Sequence, residues 1–248
     1  MEKHEPILKF KRGFVVAIDG PAGAGKSTVS RQLALALNGV LLDTGAMYRG
    51  VAYFALKEGR KTAKDFGIIA KRLEFQVAKD GHTLLIDGQD LGHKLRTEEV
   101  SAMASSVSRF KMVRLALTRR QRSLGRELSK KVPVVMEGRD IGTVVFPKAK
   151  FKFYVTASPE VRAERRLTQL KKQGLRAGTL RAILKQQENR DEQDSTRKLA
   201  PLRCPEGAVV VDTSSMGIPQ VVHFMGDHIR NVITLPNVQK HKILSLSG

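Results

Sequence analysis

Tryptophan is missing from this 248-residue chain, cysteine occurs once, and aromatic residues make up only 5% of it. The lone Cys204 excludes an intrachain disulfide framework and fits a reducing compartment. With so few aromatics, and none interleaved with the basic stretches, there is no platform on which a series of bases could stack. No apolar run approaches the length of a membrane span. The opening Met1-Glu2-Lys3-His4-Glu5 carries mixed charge with no apolar signal core behind it. A cytoplasmic protein without membrane contact is therefore expected. The six histidines (His4, His82, His93, His223, His228 and His241) show no metal-ligand spacing. Acidic residues are scarce too, 24 against 44 lysines and arginines, for a net charge of +20. Much of the surplus lies in two stretches: nine basic residues against one acid over 109–131, and eleven against five over 162–198. Such clustering suits a polyanion footprint, a solvated helix face, or a cleft where two phosphorylated substrates meet.

What is present is more specific. Residues Gly20 to Ser27 read Gly-Pro-Ala-Gly-Ala-Gly-Lys-Ser, the spacing of a phosphate-binding loop. Its glycines let backbone N–H groups wrap a polyphosphate, Lys26 reaches the outer phosphates, and the Ser27 hydroxyl can join a Mg²⁺ shell. The context fits this reading. Gly13–Asp19 is a buried-strand run before the loop. After it, Val29, Leu33, Ala36 and Leu37 form one apolar helix face that stops at Asn38-Gly39. Nucleoside triphosphate binding follows.

Five apolar runs punctuate the chain: Phe14–Asp19, Val40–Asp43, Val132–Glu137, Phe151–Thr156 and Ala208–Thr213. Helical patterns follow several of them, the alternation of a parallel sheet covered on both faces, so the class is α/β. Ser158-Pro159-Glu160 reads as a helix start. Ligands of such sheets gather at the carboxyl ends of strands, and Asp19-Gly20, Asp43-Thr44 and Glu137-Gly138-Arg139-Asp140 all fall there. Two stretches break the alternation. Residues 73–91 predict small hairpins with turns at Asp80-Gly81 and Asp87-Gly88, an inserted lobe and not a sixth core strand. Residues 162–198 predict a charged helical flap broken at Gly174 and Gly178, with a thin apolar stripe. From about Asn231 onward, scattered Leu, Val and Ile fit a docked tail or a loose one.

The second strand exit, Asp43-Thr44-Gly45-Ala46-Met47-Tyr48-Arg49, places an arginine one turn into a helix, able to face an acceptor phosphate. It also places an acid, Asp43, where it could support a metal. Neutral readings stand beside these: Thr44 as an ordinary helix cap, Arg49 as a solvated residue, Tyr48 as packing. Together with the phosphate loop and Glu137–Pro147, this stretch closely resembles the bacterial cytidylate kinase family. The similarity extends through Arg96–Val100, Val113-Arg114, Arg162–Arg166 and Ala200–Leu202, and so covers roughly residues 13–225.

The resemblance implies a P-loop three-layer fold with a five-stranded parallel sheet. Its parts would be a core over 1–62, an inserted nucleoside-monophosphate lobe over 63–106, core again over 107–160, a helical lid over 161–198, and core plus C-terminal tail over 199–248. It implies Mg²⁺-dependent transfer of the γ-phosphoryl group of ATP to CMP or dCMP. ATP would lie on Gly20, Pro21, Ala22, Gly23, Ala24, Gly25, Lys26, Ser27 and Thr28. The acceptor would meet Thr44, Arg49, Ser105, Arg114, Arg139, Asp140, Arg190, Asp194 and Arg197. Among these, Arg49 and Arg139 would clamp its phosphate, while Ser105, Arg114 and Asp140 read the base. Lys26 and Arg139, with Arg165 or Arg166 from the lid, would neutralise charge during transfer. Ser27, and Asp43 as a second candidate, would support the metal. Gln193 and Ser195 stand where relatives often carry basic residues. Dull alternatives are an Asp140 ion pair with Arg114 or Arg139, and a Ser105 hydroxyl with no role. A monomer with small-molecule substrates and no specific nucleic-acid partner is expected. A nucleic-acid-bound ATPase would use the same phosphate loop but lacks helicase-like companion motifs.

Overall fold

The computed structural model describes residues 13–172, 174 and 178–234. Five strands form one parallel sheet: β1 (Val15–Asp19), β2 (Val40–Asp43), β5 (Val134–Glu137), β6 (Phe151–Thr156) and β7 (Val209–Asp212), in the order β2-β5-β1-β6-β7. The predicted strands are recovered within one or two residues at each end. Pro133, which has no N–H to give a ladder, lies just before β5.

Near-continuous burial of these strands has a direct cause, since alternate side chains feed two different cores. Val16, Ile18, Val135, Phe153 and Val155 face α1 (Lys26–Ala36) and α8 (Ile218–Thr234), where Leu33, Val221, Met225, Ile229 and Leu37, just past the end of α1, complete that layer. Ala17, Leu42, Val134 and Met136 face the other side. There they meet α2 (Thr44–Lys57), α3 (Ala63–Arg72), α4 (Glu98–Val107) and α5 (Lys111–Leu128). The result is three layers, helix on sheet on helix.

Residues 73–91 carry a separate antiparallel pair, β3 (Phe75–Val77) and β4 (Leu84–Ile86). As expected, the pair adds no sixth strand to the main sheet, although the Leu41 N–H of β2 donates to the Gly81 carbonyl at 2.8 Å, and it does not have a separate core. Phe66, Ile69, Phe75, Ile86, Leu95 and Val100 belong to the same apolar cluster as α2 and the sheet face below it. Over the charged stretch, α6 (Pro159–Lys172) and α7 (Leu180–Thr196) pack around a small apolar group of Ala163, Leu170 and Ile183. The expected breaks hold: Gly174 is left-handed at φ 66°, and Thr179 caps α7 by accepting the Ala182 N–H at 3.2 Å. The expectation for the tail beyond residue 234 lies outside the described residues. Among the described residues, no helix is long and apolar enough to cross a membrane.

Candidate active site

Sheet register brings the chemistry together. Ile18 pairs with Glu137 and Asp43 pairs with Glu137, so β2, β5 and β1 end side by side. Asp43, Glu137 and Asp19 thereby stand in a row at one edge of the sheet. The phosphate loop leaves β1 there, with Gly20, Gly23 and Gly25 at φ 144°, 77° and 84°. A Cβ on Gly20 would lie 2.0 Å from the Val155 carbonyl oxygen, so only glycine fits between β1 and β6. Gly23, Ser27 and Thr28 are exposed, whereas Pro21, Ala22 and Ala24 are buried.

Lys26 is only 4% exposed and donates to the Pro21 carbonyl at 2.5 Å. Burial pushes its ammonium down from the ordinary lysine range, and Arg139 pushes the same way against the pull of Glu137. The Ser27 hydroxyl donates to Glu137 Oε1 at 2.8 Å. Burial, and then Asp43, push the Glu137 carboxyl up from its ordinary value, and its Oε2 is buried with no hydrogen-bond partner among the described residues. Glu137 was legible as a strand-end acid but carried no role in the sequence. Its place beside Ser27 is what assigns one.

Asp43 caps α2, accepting the Ala46 N–H at 2.8 Å, and its other oxygen holds Arg49 at 2.7 Å. This corrects the neutral reading of Thr44 as the cap. The Thr44 hydroxyl instead donates to the Glu137 carbonyl at 2.6 Å, tying α2 to β5. Arg49 is not a free surface residue either, and its Nε is buried without a partner.

Farther along the crevice, Arg114 and Asp140 are each 6% exposed and meet at 2.5 Å, with Arg114 also donating to the Ser108 carbonyl at 3.2 Å. The Arg114 guanidinium lies 5.5 Å from the Tyr48 ring centre. The Tyr48 hydroxyl is pushed up to about 12, chiefly by burial, so Tyr48 packs and does not titrate. Ser105 lies on the last turn of α4, and among the described residues its hydroxyl has no hydrogen-bond partner. Asp194 accepts from Arg139 and from Arg197, each at 3.3 Å, and Arg197 Nη2 is buried without a partner. Arg190 completes the group. Burial, then Arg139 and, less strongly, Arg49, push it down to about 10, with Asp194 opposing.

Arg165 and Arg166 part company. Arg165 donates to the Thr213 hydroxyl at 2.9 Å and carbonyl at 2.6 Å, beside the phosphate loop, where a Cβ on Gly25 would be 3.7 Å from its Nη1. Arg166 turns back to Gln169 on its own helix. Sequence reasoning missed the contact that joins this helix pair to the loop. Arg162 donates to the Ala22 carbonyl at 3.0 Å and pairs with Asp191, which accepts the Ala22 N–H at 3.1 Å. Gln193 is exposed, as is Ser195, whose hydroxyl bonds the Glu192 carbonyl.

The ends of β1, β2 and β5 therefore bring together a glycine-rich loop, Lys26 and Arg190, both pushed down by burial and by Arg139, and the buried Arg114–Asp140 pair. The family described as cytidylate kinase matches residues 16–231. The cytidylate kinase of Citrifermentans bemidjiense is 42% identical over 224 residues, 89% of this chain and 94% of that one. That of Desulforamulus reducens is 45% identical over 211 residues, covering 84% and 93%, and that of Caldanaerobacter subterraneus 40% over 215 residues, covering 87% and 94%. The chain belongs to the cytidylate kinase family.

Proposed function

We propose that the protein transfers the γ-phosphoryl group of ATP to CMP or dCMP, yielding ADP and CDP or dCDP. The observation that carries this reading is the gathering of Lys26, Arg139, Arg190 and Arg49 near the strand ends, where burial and the neighbouring Arg139 lower Lys26 and Arg190. Such an arrangement is costly unless phosphates enter it. Phosphoryl transfer asks for little else: in-line positioning and charge neutralisation supply most of the rate.

In this reading ATP lies along Gly20–Thr28, with Lys26 and Arg165 on its phosphates. The CMP phosphate lies on Arg49 and Arg139, and its oxygen attacks the γ-phosphorus as the bond to the β-phosphate oxygen breaks. Arg190, Asp194 and Arg197 hold the ribose side, and Ser105 adds a hydroxyl near the base. Residues 63–106 then serve as the acceptor lobe and 161–198 as the lid. A hard cation fits the donor set, since Ser27 and Glu137 offer oxygens and Glu137 Oε2 is buried and unpartnered. Ser27 and Glu137 would hold Mg²⁺, which would supply neutralisation of phosphate charge. Asp43 is engaged by Ala46 and Arg49, which favours Glu137 over it as the nearer carboxylate.

Base selection follows from the Arg114–Asp140 pair. It presents an acceptor beside a donor, whereas cytosine presents an amino donor beside a ring acceptor. Uracil reverses both, and leaving such buried groups mismatched costs on the order of 10⁴-fold. A monomer belongs to the same reading, and the lone cysteine supports a cytoplasmic setting.

ADP release with Mg²⁺ and CMP, dCMP, UMP, AMP or dTMP tests the reading. CMP and dCMP should dominate, and Asp140→Asn should lower the CMP-to-UMP ratio. Equal rates across the panel would sink the assignment.

A further inference from the structure

The residues that follow Arg139 and Asp140 form a π-helical turn, Ile141–Val145, and its two ends are gripped by opposite charges from different elements. At the first end, Asp19 is fully buried at the tip of β1. Its two carboxylate oxygens accept the Ile141 and Gly142 amides, each at 2.7 Å. At the other end, Arg122 reaches across from α5. It donates through Nε to the Val145 carbonyl at 3.0 Å and through Nη2 to the Val144 carbonyl at 2.7 Å. A helical turn exposes partly positive amides at its start and partly negative carbonyls at its finish, so both charges sit where the turn favours them.

The grip is relayed to Asp140 through one residue. The Val144 and Val145 amides donate to the Asp140 carbonyl at 2.9 and 3.1 Å. The Val144–Val145 peptide group, through its carbonyl and its N–H, thus connects the Arg122 guanidinium to the Asp140 backbone. On the side-chain side, Asp140 is held by Arg114 alone among its hydrogen bonds. Gly142 adds a further constraint, since a Cβ there would lie 2.7 Å from Pro205 Cγ. A π turn is an uncommon conformation that persists where surrounding contacts over-determine it, and such turns recur at functional sites.

We propose that Asp19 and Arg122 are positioning residues for acceptor recognition. By holding the π turn at its two ends they fix the place of Arg139 and Asp140, and so set discrimination between cytosine and uracil without touching either nucleotide. This rests on the reading of the site given above. Arg122 is the cleaner probe, because Asp19 also leads directly into the phosphate loop at Gly20.

The test is steady-state kinetics of wild type, Arg122→Gln, Arg122→Lys and Asp19→Asn, with CMP and with UMP as acceptor, alongside the ATP KM and a thermal melt. A displacement of about 1 Å at a reacting group costs up to about 100-fold, so Arg122→Gln should lower the CMP-over-UMP ratio of kcat/KM by about 10-fold or more. Its KM for CMP should rise, while that for ATP moves by less than about two-fold, as expected when only acceptor binding is lost. Arg122→Lys keeps the charge and one carbonyl bond, and should recover part of the ratio. Asp19→Asn should shift the ratio in the same direction. An unchanged ratio in folded Arg122→Gln overturns the proposal, as does a parallel rise in both KM values. If Arg122→Gln does not fold, an unchanged ratio in Arg122→Lys overturns it equally. Wild type that uses UMP as readily as CMP defeats the functional reading itself, whereas wild-type discrimination that the variants retain defeats this inference alone.

Discussion

Asp19 shows how one buried carboxyl can be worth more in one protonation state than another. Burial, with Asp140 nearby, outweighs the two amide hydrogen bonds and Lys26, and raises it from 3.8 to about 6. A folded value above the unfolded one means that the stability it contributes is fully present below about 3.8 and is lost as pH rises through about 6. The stability advantage of wild type over Asp19→Asn should therefore be greatest near pH 4. It should shrink by up to about 3 kcal/mol by pH 7, the worth of a shift of about two pH units. Urea melts of the two proteins at both pH values check this, and a constant difference would contradict it. Neither Asp19 nor Glu137 could be assigned a task from its place in the chain. Each was visible as an acid at a strand end, but its role depends on amides and hydroxyls that arrive from more than 100 residues away.

Secondary-structure elements were more legible, because their signals are local. The Asp87-Gly88 turn closes on itself with φ 48° and 74° and bridges Ile86 to Gln89, the left-handed pair that an Asp-Gly turn favours. Asn38 adopts φ 49° where the sequence announced the end of α1. The π turn had no such signature: Ile141-Gly142-Thr143-Val144-Val145 reads as an apolar run, and Asp19 and Arg122, which bond its two ends, come from other elements. The β1-to-loop junction tests the element scale directly. Gly20→Ala adds a Cβ 2.0 Å from the Val155 carbonyl at φ 144°. It should destabilise the protein by about 2 kcal/mol or more, read as a drop in the urea midpoint. ATP affinity should fall with it.

At the scale of the whole molecule, α6, α7 and the phosphate loop are joined through Ala22. Arg162 and Asp191 hold its carbonyl and its amide, and Gln187 bonds the Arg162 carbonyl at 3.3 Å. Arg162 is 7% exposed at its side chain and Asp191 18%, so removing one partner leaves a largely desolvated charge. Asp191→Ala should cost about 3 kcal/mol in stability. It should also raise the ATP KM by about 10-fold while the CMP KM moves less, because the loop and not the base pocket is released. Asp191→Asn keeps an acceptor for the Ala22 amide and should fall between the two. Thermal melts with both KM values distinguish this from a general loss of folding, which would reduce active protein without splitting the KM values.

The sequence by itself determined the alternation of strands and helices, the phosphate loop, the hairpin insert and the arginine-rich equipment. Those features depend on neighbours a few residues apart, and turn residues and apolar periodicity encode them directly. Tertiary structure alone decided which acid sits beside Ser27, whether Arg165 or Arg166 faces the loop, and which side chain pairs with Asp140. Each of these is settled by strand register and helix docking, which bring together groups that are remote along the chain.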